Sequence, residues 1–506
     1  MKLSFGSAAG FGALLLATSS VLSRVLGILR DYVFSKIFGI GGDGGIFTLD
    51  AYYLAFRIPD LLYTLLILGA LSSAFIPLYT RLKKKNEAEA NLFVNDVLSN
   101  VFLLLLILGG FLFIFAPWLL PVLAPGFDAE TRKIAVDLTR ILLLSPLFLG
   151  LSGILQGVEN VHKRFFGMAL APLLYNGSII VAALLFGANH GVYALAWGVV
   201  VGALLHFSVQ LPGALKTTFR FQMKIPQWSR AVKEFFYLSL PRVIGMSAAQ
   251  ITLLVDFALA STLSLGTVSI YSYALNLQSF PYGVVAVSFS IAIFATLAEQ
   301  ALSSDKKEFV QTLKNSFRTI WFWAFPATVG LFLLREPLIE LILRGGAFDK
   351  NAALLTAGTF SILIWSALPQ SLIPLWSRAF YSLSNTRTPV IASVVTMLLN
   401  VTLSITFTKV YGFSVYGLAG ANLIASTFNA LLLLLLLSRE LKTGIKEILP
   451  IKMLLLSGLA SGFMAVVILY FPDFAYPHVF VKLLVLSLVG FLVYLVPFKF
   501  KIIHRS

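Results

Sequence analysis

The chain has no cysteine, five histidines and only 12% charged residues among 506. The missing cysteine excludes disulfide frameworks, thiol catalysis and thiolate metal sites. The low charge excludes an ordinary soluble domain, where about a quarter of residues are charged. Acidic residues are the scarcer sign: 22 Asp and Glu stand against 38 Lys and Arg, a formal net charge of +16. In a soluble protein that excess would point to nucleic acid. No basic, aromatic-interleaved soluble stretch exists here to carry such binding, so no nucleic-acid partner is expected. What is abundant is apolar: 58% of residues are hydrophobic and mean hydropathy is +0.90. Because a bilayer core takes about 20 apolar residues per helix, this composition predicts an all-α polytopic membrane protein.

Hydropathy places about fourteen spans, near 8–36, 51–80, 94–120, 134–158, 166–187, 191–211, 235–263, 267–298, 319–342, 353–382, 388–408, 414–437, 450–471 and 479–498. Several are long and carry Pro or Gly, as at Pro59 and Pro281, which predicts tilted or kinked helices lining an interior. No cleaved signal peptide is expected, since Lys2 is the only basic residue before an apolar stretch that runs on through Arg24, Arg30 and Asp31. With the N-terminus inside, alternate loops carry about 23 Lys and Arg against 7 in the opposite set, which holds Lys36, Arg132, Lys133, Arg335, Arg344, Lys350 and Lys409. That asymmetry predicts cytoplasmic termini on both ends, in a cytoplasmic (inner) membrane.

The order of polar landmarks recurs. Phe127-Asp128, Pro146, Asn176 and Val192-Tyr193 match Phe348-Asp349, Pro369, Asn400 and Val415-Tyr416, at an offset of about 221 to 224. Each copy holds six spans, an even number, so both enter from the same side as parallel lobes. The expected organisation is a first lobe at 1–215, a cytoplasmic linker at 216–234, a second lobe at 235–440, and a C-terminal helix pair with its tail at 441–506. Two lobes facing a cavity is the architecture of alternating access.

Ionisable groups inside a span are costly and mark function by default. Ser23, Arg24, Arg30 and Asp31 lie in the first span, with Arg24 and Asp31 on one helix face. Two readings stand for Arg30 and Asp31: cavity residues, or a helix end whose side chains snorkel to the interface. Asp50 opens the second span. Arg57 and Asp60 follow, either neutralising one another at i, i+3 or leaving Arg57 to face the cavity. Arg242 and Asp256 lie in the seventh span, Asn276 in the eighth and Asn400 in the eleventh. Arg242 reads as interfacial or cavity-facing, and Asn400 as an oxygen ligand or an interhelical hydrogen bond. A carboxylate at 256 needs a partner or a cation. The surplus of guanidinium groups toward the first lobe suits a phosphate-bearing, anionic substrate.

The stretches SRVLGILRD at 23–31, DAYYLAFRIPDLL at 50–62, GALSSAFIPLY at 69–79, AAQITLLVDFALASTL at 248–263, SFPYGVVAVSFS at 279–290 and RAFYSLSNTRTP at 378–389 resemble the MurJ (MviN) family of lipid II flippases. The wider group is the multidrug/oligosaccharidyl-lipid/polysaccharide flippase superfamily. The resemblance implies transport of lipid II, the undecaprenyl-diphosphate-linked disaccharide-pentapeptide, from the inner to the outer leaflet. It implies cavity arginines at Arg24 and Arg30 followed by Asp31, an acidic residue at Asp50, and a groove for the lipid tail formed by the last two helices. It further implies a sodium site at Asp256 and Asn400, where Ser404 offers a neutral oxygen in place of a carboxylate. No organic cofactor is implied; sodium or the membrane potential would drive transport. Two departures stand out. Tyr63 and Thr64 occupy positions where many members carry an arginine pair, and Asn276 a position where many carry one arginine. Arg57 and Arg242 are the candidates to restore that charge.

Three other readings remain at this point. One is a flippase for another lipid-linked oligosaccharide, or a drug/cation antiporter. Another is a polytopic lipid-diphosphate glycosyltransferase, against which Asp128, Glu130, Asp349 and Asp473 are isolated and His162, His190, His206, His478 and His504 are scattered. The last is a scaffold that transports nothing. Composition leaves the oligomeric state open.

Overall fold

The computed structural model describes residues 8–38, 49–68, 74–222, 225–303, 305–343, 348–470 and 479–503. Residues 69–73 of the third motif, and Lys2, Arg344, Asp473, His478 and His504, lie outside them. The described chain is helical throughout. In order the helices are α1 (Ala8–Ile37), α2 (Leu49–Ala55), α3 (Arg57–Tyr63), α4 (Ile76–Lys85), α5 (Glu87–Leu123), α6 (Ala129–Leu142), α7 (Ser145–Val161), α8 (Phe166–His190), α9 (Val192–Leu215) and α10 (Arg230–Ser261). There follow α11 (Thr267–Gln300), α12 (Lys307–Leu333), α13 (Arg335–Ile342), α14 (Lys350–Ser382), α15 (Arg387–Ile405), α16 (Ser414–Glu440), α17 (Ile445–Ile448), α18 (Ile451–Tyr470) and α19 (Val479–Ile503). Among the described residues ten helices are long and apolar enough to cross a membrane, or eleven if α12 and α13, bent by 74°, form one span. The expected count of fourteen is not confirmed by that test.

The chain divides into two compact units, Met1–Ser269 with Gly346–Phe348, and Ile270–Gly345 with Asp349–Ser506. The packing division therefore falls within the first turn of α11, whereas the sequence organisation places its linker at 216–234. The reason is visible in α10, which packs on α5 of the first unit. Phe235 of α10 meets Phe93 of α5 and Phe75 edge-on, in a core that also stacks Phe75 on Tyr79 and Phe93.

Local chemistry explains the elements. α5 starts at Asn86, whose side chain accepts from the Ala88 and Glu89 amides, with Glu87 and Glu89 in the first turn beside the positive end of the helix dipole. One face of α5 (Phe93, Val97, Val101, Leu105) is buried, while Ile107, Phe111, Ile114 and Trp118 are exposed to the bilayer. The segment joining α9 to α10 is strapped onto α5 by three asparagines. Asn91 accepts from the Arg220 amide, Asn95 bridges Arg220 and Gln222, and Asn100 donates to the Gln227 carbonyl. α8 and α9 form a close hairpin, where a Cβ at Gly198 would stand 2.7 Å from Ala182 and one at Gly202 would stand 2.4 Å from Ser178 Oγ. Small residues there let the backbones approach, which is how helices associate without a hydrophobic drive.

In the second unit Phe317 stacks between Trp321 and Trp376. The C-terminal pair docks here: Trp321 Nε1 donates to Ser457 Oγ on α18 at 2.9 Å, and Tyr494 on α19 donates to the Phe322 carbonyl. The second span is broken. α2 and α3 separate at Phe56, and a π turn at Thr64–Leu68 follows, a distortion common at functional sites.

Candidate functional site

The first unit gathers most of the residues singled out by sequence. α1 runs beside α8, and the two are tied by polar groups: Ser19 Oγ donates to the Ala169 carbonyl, and Asn176 Nδ2 donates to Ser23 Oγ at 3.2 Å. Leu16, Ser19, Ser20, Ser23 and Arg24 of α1, with Met168 and Pro172 of α8, line a cavity of about 320 Å³. The Ser20 and Ser23 hydroxyls and one half-buried guanidinium form a donor-bearing wall, suited to oxyanions, while the Ser19 proton is held by the Ala169 carbonyl.

Arg30 stands two turns on, about 9 Å along the axis at 1.5 Å per residue. Its Nε and a terminal nitrogen both donate to Asp31 Oδ1, at 3.2 and 3.0 Å, and its guanidinium lies 5.8 Å from the Phe34 ring. Asp31 is buried and Arg30 only 22% exposed at its side chain. Neither is a side chain reaching away from the protein, which favours the interior reading over a snorkelling helix end. Phe34 packs edge-on against Tyr52 of α2, and Tyr52 against Tyr53, so the arginine stands on an aromatic floor.

Asp50 is placed differently from a cargo-facing acid. Its carboxylate accepts from the Gly266 amide at 2.9 Å, the Ser269 amide at 2.8 Å and the Ser269 hydroxyl at 2.5 Å. It is buried, and it caps the N-terminus of α11, where free amides and the helix dipole favour an anion. Gly266, at φ +84°, supplies the left-handed turn that presents those amides.

Arg57 opens α3, and its guanidinium lies 3.9 Å from the centre of the Phe257 ring on α10. The ring holds the cation over its face. Asp60 is one turn on. Arg242, also on α10, is exposed, and Asp256 is wholly buried. In the second unit Asn276 on α11 is exposed. Asn400 on α15 is buried and accepts from Ser404 Oγ at 3.3 Å, with the π turn Thr406–Val410 following. Tyr63 and Thr64 lie where α3 passes into its own π turn.

Two polar groupings escaped the sequence reading. In the second unit Gln278 donates to Ser366 and Gln370, and Gln370 donates to Ser366 and Asn422, which joins α11, α14 and α16. Amide and hydroxyl side chains are common enough that only their meeting in space marks them. In the first unit Ser152, His206, Gln210 and Glu159 lie together along α7 and α9.

Comparison with known proteins places this geometry. The profile of the family described as lipid II flippase MurJ matches residues 34–490. The chain belongs to the MurJ lipid II flippase family. It is 31% identical over 489 residues to the lipid II flippase MurJ of Thermosipho africanus, covering 96% of this chain and 95% of that one. It is 30% identical over 436 residues to the lipid II flippase MurJ of Burkholderia cenocepacia, covering 84% and 83%. A solved structure of lipid II flippase MurJ in an inward closed conformation superposes with a TM-score of 0.80 at 29% identity, over 97% of this chain and all of that one. An inward-facing multidrug resistance transporter of the MATE family, in the MOP superfamily, shares the fold at a TM-score of 0.69 and 12% identity, covering 83% of this chain and 94% of its own. The all-α transporter fold expected from the sequence and the MurJ resemblance are both borne out.

Proposed function

We propose that this protein carries lipid II from the inner to the outer leaflet of a bacterial cytoplasmic membrane by alternating access. The observation that carries this reading is family membership over most of the chain, joined to the arginine-bearing face of α1. Arg24, with Ser20 and Ser23, binds the diphosphate: a planar guanidinium fork matches phosphate oxygens, and the hydroxyls complete their hydrogen bonding. Arg30, steadied by Asp31 and Phe34, supplies positive charge along the path. Arg57, on the same helix as Tyr63, supplies positive charge in place of the arginines the family resemblance leads one to expect at Tyr63 and Thr64, and Arg242 adds a second. Asp50 acts as a positioning residue for α11 and does not touch cargo.

The lipid tail stays in the bilayer while the head group crosses, so no bond in the substrate is made or broken. A single charge moved through 100 mV is worth about 2.3 kcal/mol, so the membrane potential biases the cycle. Both termini face the cytoplasm, as the positive-inside asymmetry supports.

The test is complementation of a bacterium depleted of its own lipid II flippase. The wild-type chain is expected to restore growth, while Arg24→Ala and Arg30→Ala, expressed at equal level, are not. Failure of a correctly inserted wild-type chain would move the assignment to another undecaprenyl-diphosphate-linked oligosaccharide.

A further inference from the structure

α7 ends in the sequence GVENV, and Glu159 within it is completely buried. Among the described residues neither carboxylate oxygen has a hydrogen-bond partner. The slot that holds it is made by two glycines. A Cβ at Gly213 on α9 would stand 1.8 Å from Glu159 Oε1, and one at Gly167 on α8 would stand 2.6 Å from the same atom. Gln210 borders the slot too, since its Cα would lie 3.2 Å from that Gly167 Cβ. It is fully buried, and its Oε1 also lacks a partner. The Gln210 amide nitrogen is turned toward His206 Nδ1 at 3.5 Å, and His206 in turn bonds Ser152 at 2.7 Å. Both Glu159 oxygens and Gln210 Oε1 are thus buried acceptors with no hydrogen-bond partner among the described residues.

Charged groups stand on the elements around it, but none of those described donates a hydrogen bond to the carboxylate. Lys163 and Arg164, on the turn after α7, and Lys216, at the end of α9, are exposed. Arg164 bonds Glu159 through the backbone, amide to carbonyl at 2.9 Å, and its exposed guanidinium attracts the carboxylate without hydrogen-bonding to it. His206 is occupied by Ser152, and α8 offers Gly167 at this level. A buried carboxylate with no donor, and with only the solvent-exposed Arg164 as counter-charge, is poorly compensated in a low-dielectric interior. A single buried negative charge, with the backbone of Gln210 bordering its slot, suits one positive charge. No cluster of three or more acidic, histidine or cysteine side chains able to cage a divalent ion occurs among the described residues.

We propose that Glu159 and Gln210 form a binding site for a small monovalent cation, a proton or an alkali metal ion, held between α7, α8 and α9 of the first unit. The site is separate from the α1 cavity and from Asp256 and Asn400, and it stands whether or not the cargo is lipid II. Occupancy closes the packing of three helices, so ion binding and the rigidity of this unit are linked.

The test uses the full-length protein in lipid nanodiscs. Thermal unfolding is followed as sodium replaces choline at constant ionic strength, and infrared difference spectra on changing pH report a protonated carboxyl. For an alkali ion, sodium raises the midpoint of the wild type and leaves Glu159→Gln unchanged. For a proton, sodium has no effect, and a protonated-carboxyl band of the wild type is missing in Glu159→Gln. If Glu159→Gln does not accumulate, Glu159→Asp, which keeps the charge but withdraws it from the slot, is expected to shift the sodium midpoint or that band. A wild type with neither a sodium response nor a band sensitive to position 159 overturns the proposal.

Discussion

The two copies of the repeated landmark pattern agree where they set the backbone and part where they face the interior. Asp128 and Asp349 hold nearly the same extended conformation, and each caps the helix it precedes, accepting from the Thr131 and Ala352 amides at 2.8 and 2.7 Å. Phe127 and Phe348 are buried beside them. The prolines then diverge. Pro146 begins α7 after a break in the helix, and the Ser145 hydroxyl takes the Leu142 carbonyl that a proline at 146 cannot reach. Pro369 lies inside an unbroken α14. The asparagines diverge further: Asn176 ties α8 to Ser23 of α1, whereas Asn400 turns to Ser404 on its own helix. The matched landmarks share the signals that start helices and differ in the polar contacts made further along. The first copy became a wall of arginine and hydroxyls, and the second a neutral network of Gln278, Ser366, Gln370 and Asn422.

The largest effect should come from the groups that make the copies unlike. Arg24→Ala or Arg30→Ala is expected to abolish rescue of flippase-depleted cells without lowering the amount of inserted protein. Gln370→Leu in the second unit is expected to leave rescue measurable. Equal loss from all three would erase the distinction between a charged and a neutral half.

Next is Asp50→Ala. It strands the Gly266 and Ser269 amides, and at about 1–3 kcal/mol for each buried group left unpaired unfolding should move to clearly lower temperature. Asp50→Asn, which keeps an acceptor oxygen, should recover part of that loss, and an Asp50 that contacts cargo instead would leave the unfolding midpoint untouched.

The matched caps sharpen the comparison. Asp128→Ala and Asp349→Ala should cost alike, about 1 kcal/mol each, measured by the melting of each variant. The Thr131 hydroxyl and amide hold the Asp128 carboxyl below the usual carboxylate range. A carboxyl lowered on folding stabilises above its unfolded pKa and loses that contribution as pH falls through the folded value. The Asp128→Ala deficit should therefore shrink in acid.

The smallest effect is expected at Phe257→Leu. It removes the ring beneath Arg57, worth about 0.5–2 kcal/mol, and should lower the melting point slightly while leaving rescue intact.

Much of this was legible in the sequence. Caps and apolar spans are local signals, so the helical character could be read directly. Asp50 could not, because its partners lie 216 and 219 residues away. Glu159 sits one residue past the end of the span read from hydropathy, where a carboxylate passes for interfacial. Only Gly167 and Gly213, on two other helices, reveal that it is enclosed. The packing boundary near Ser269 also lay beyond sequence, since the packing of α10 on α5 is a matter of side-chain fit and leaves no break in hydropathy.

The most direct measurement is the fraction of lipid II reachable from the outer face in cells depleted of their own flippase and supplied with this chain. Wild-type protein should restore that fraction, and Arg24→Ala, present at the same level, should leave lipid II in the inner leaflet. Lipid II that stays inside with wild-type protein, or moves out equally well without the Arg24 guanidinium, would contradict transport through the cationic face of α1.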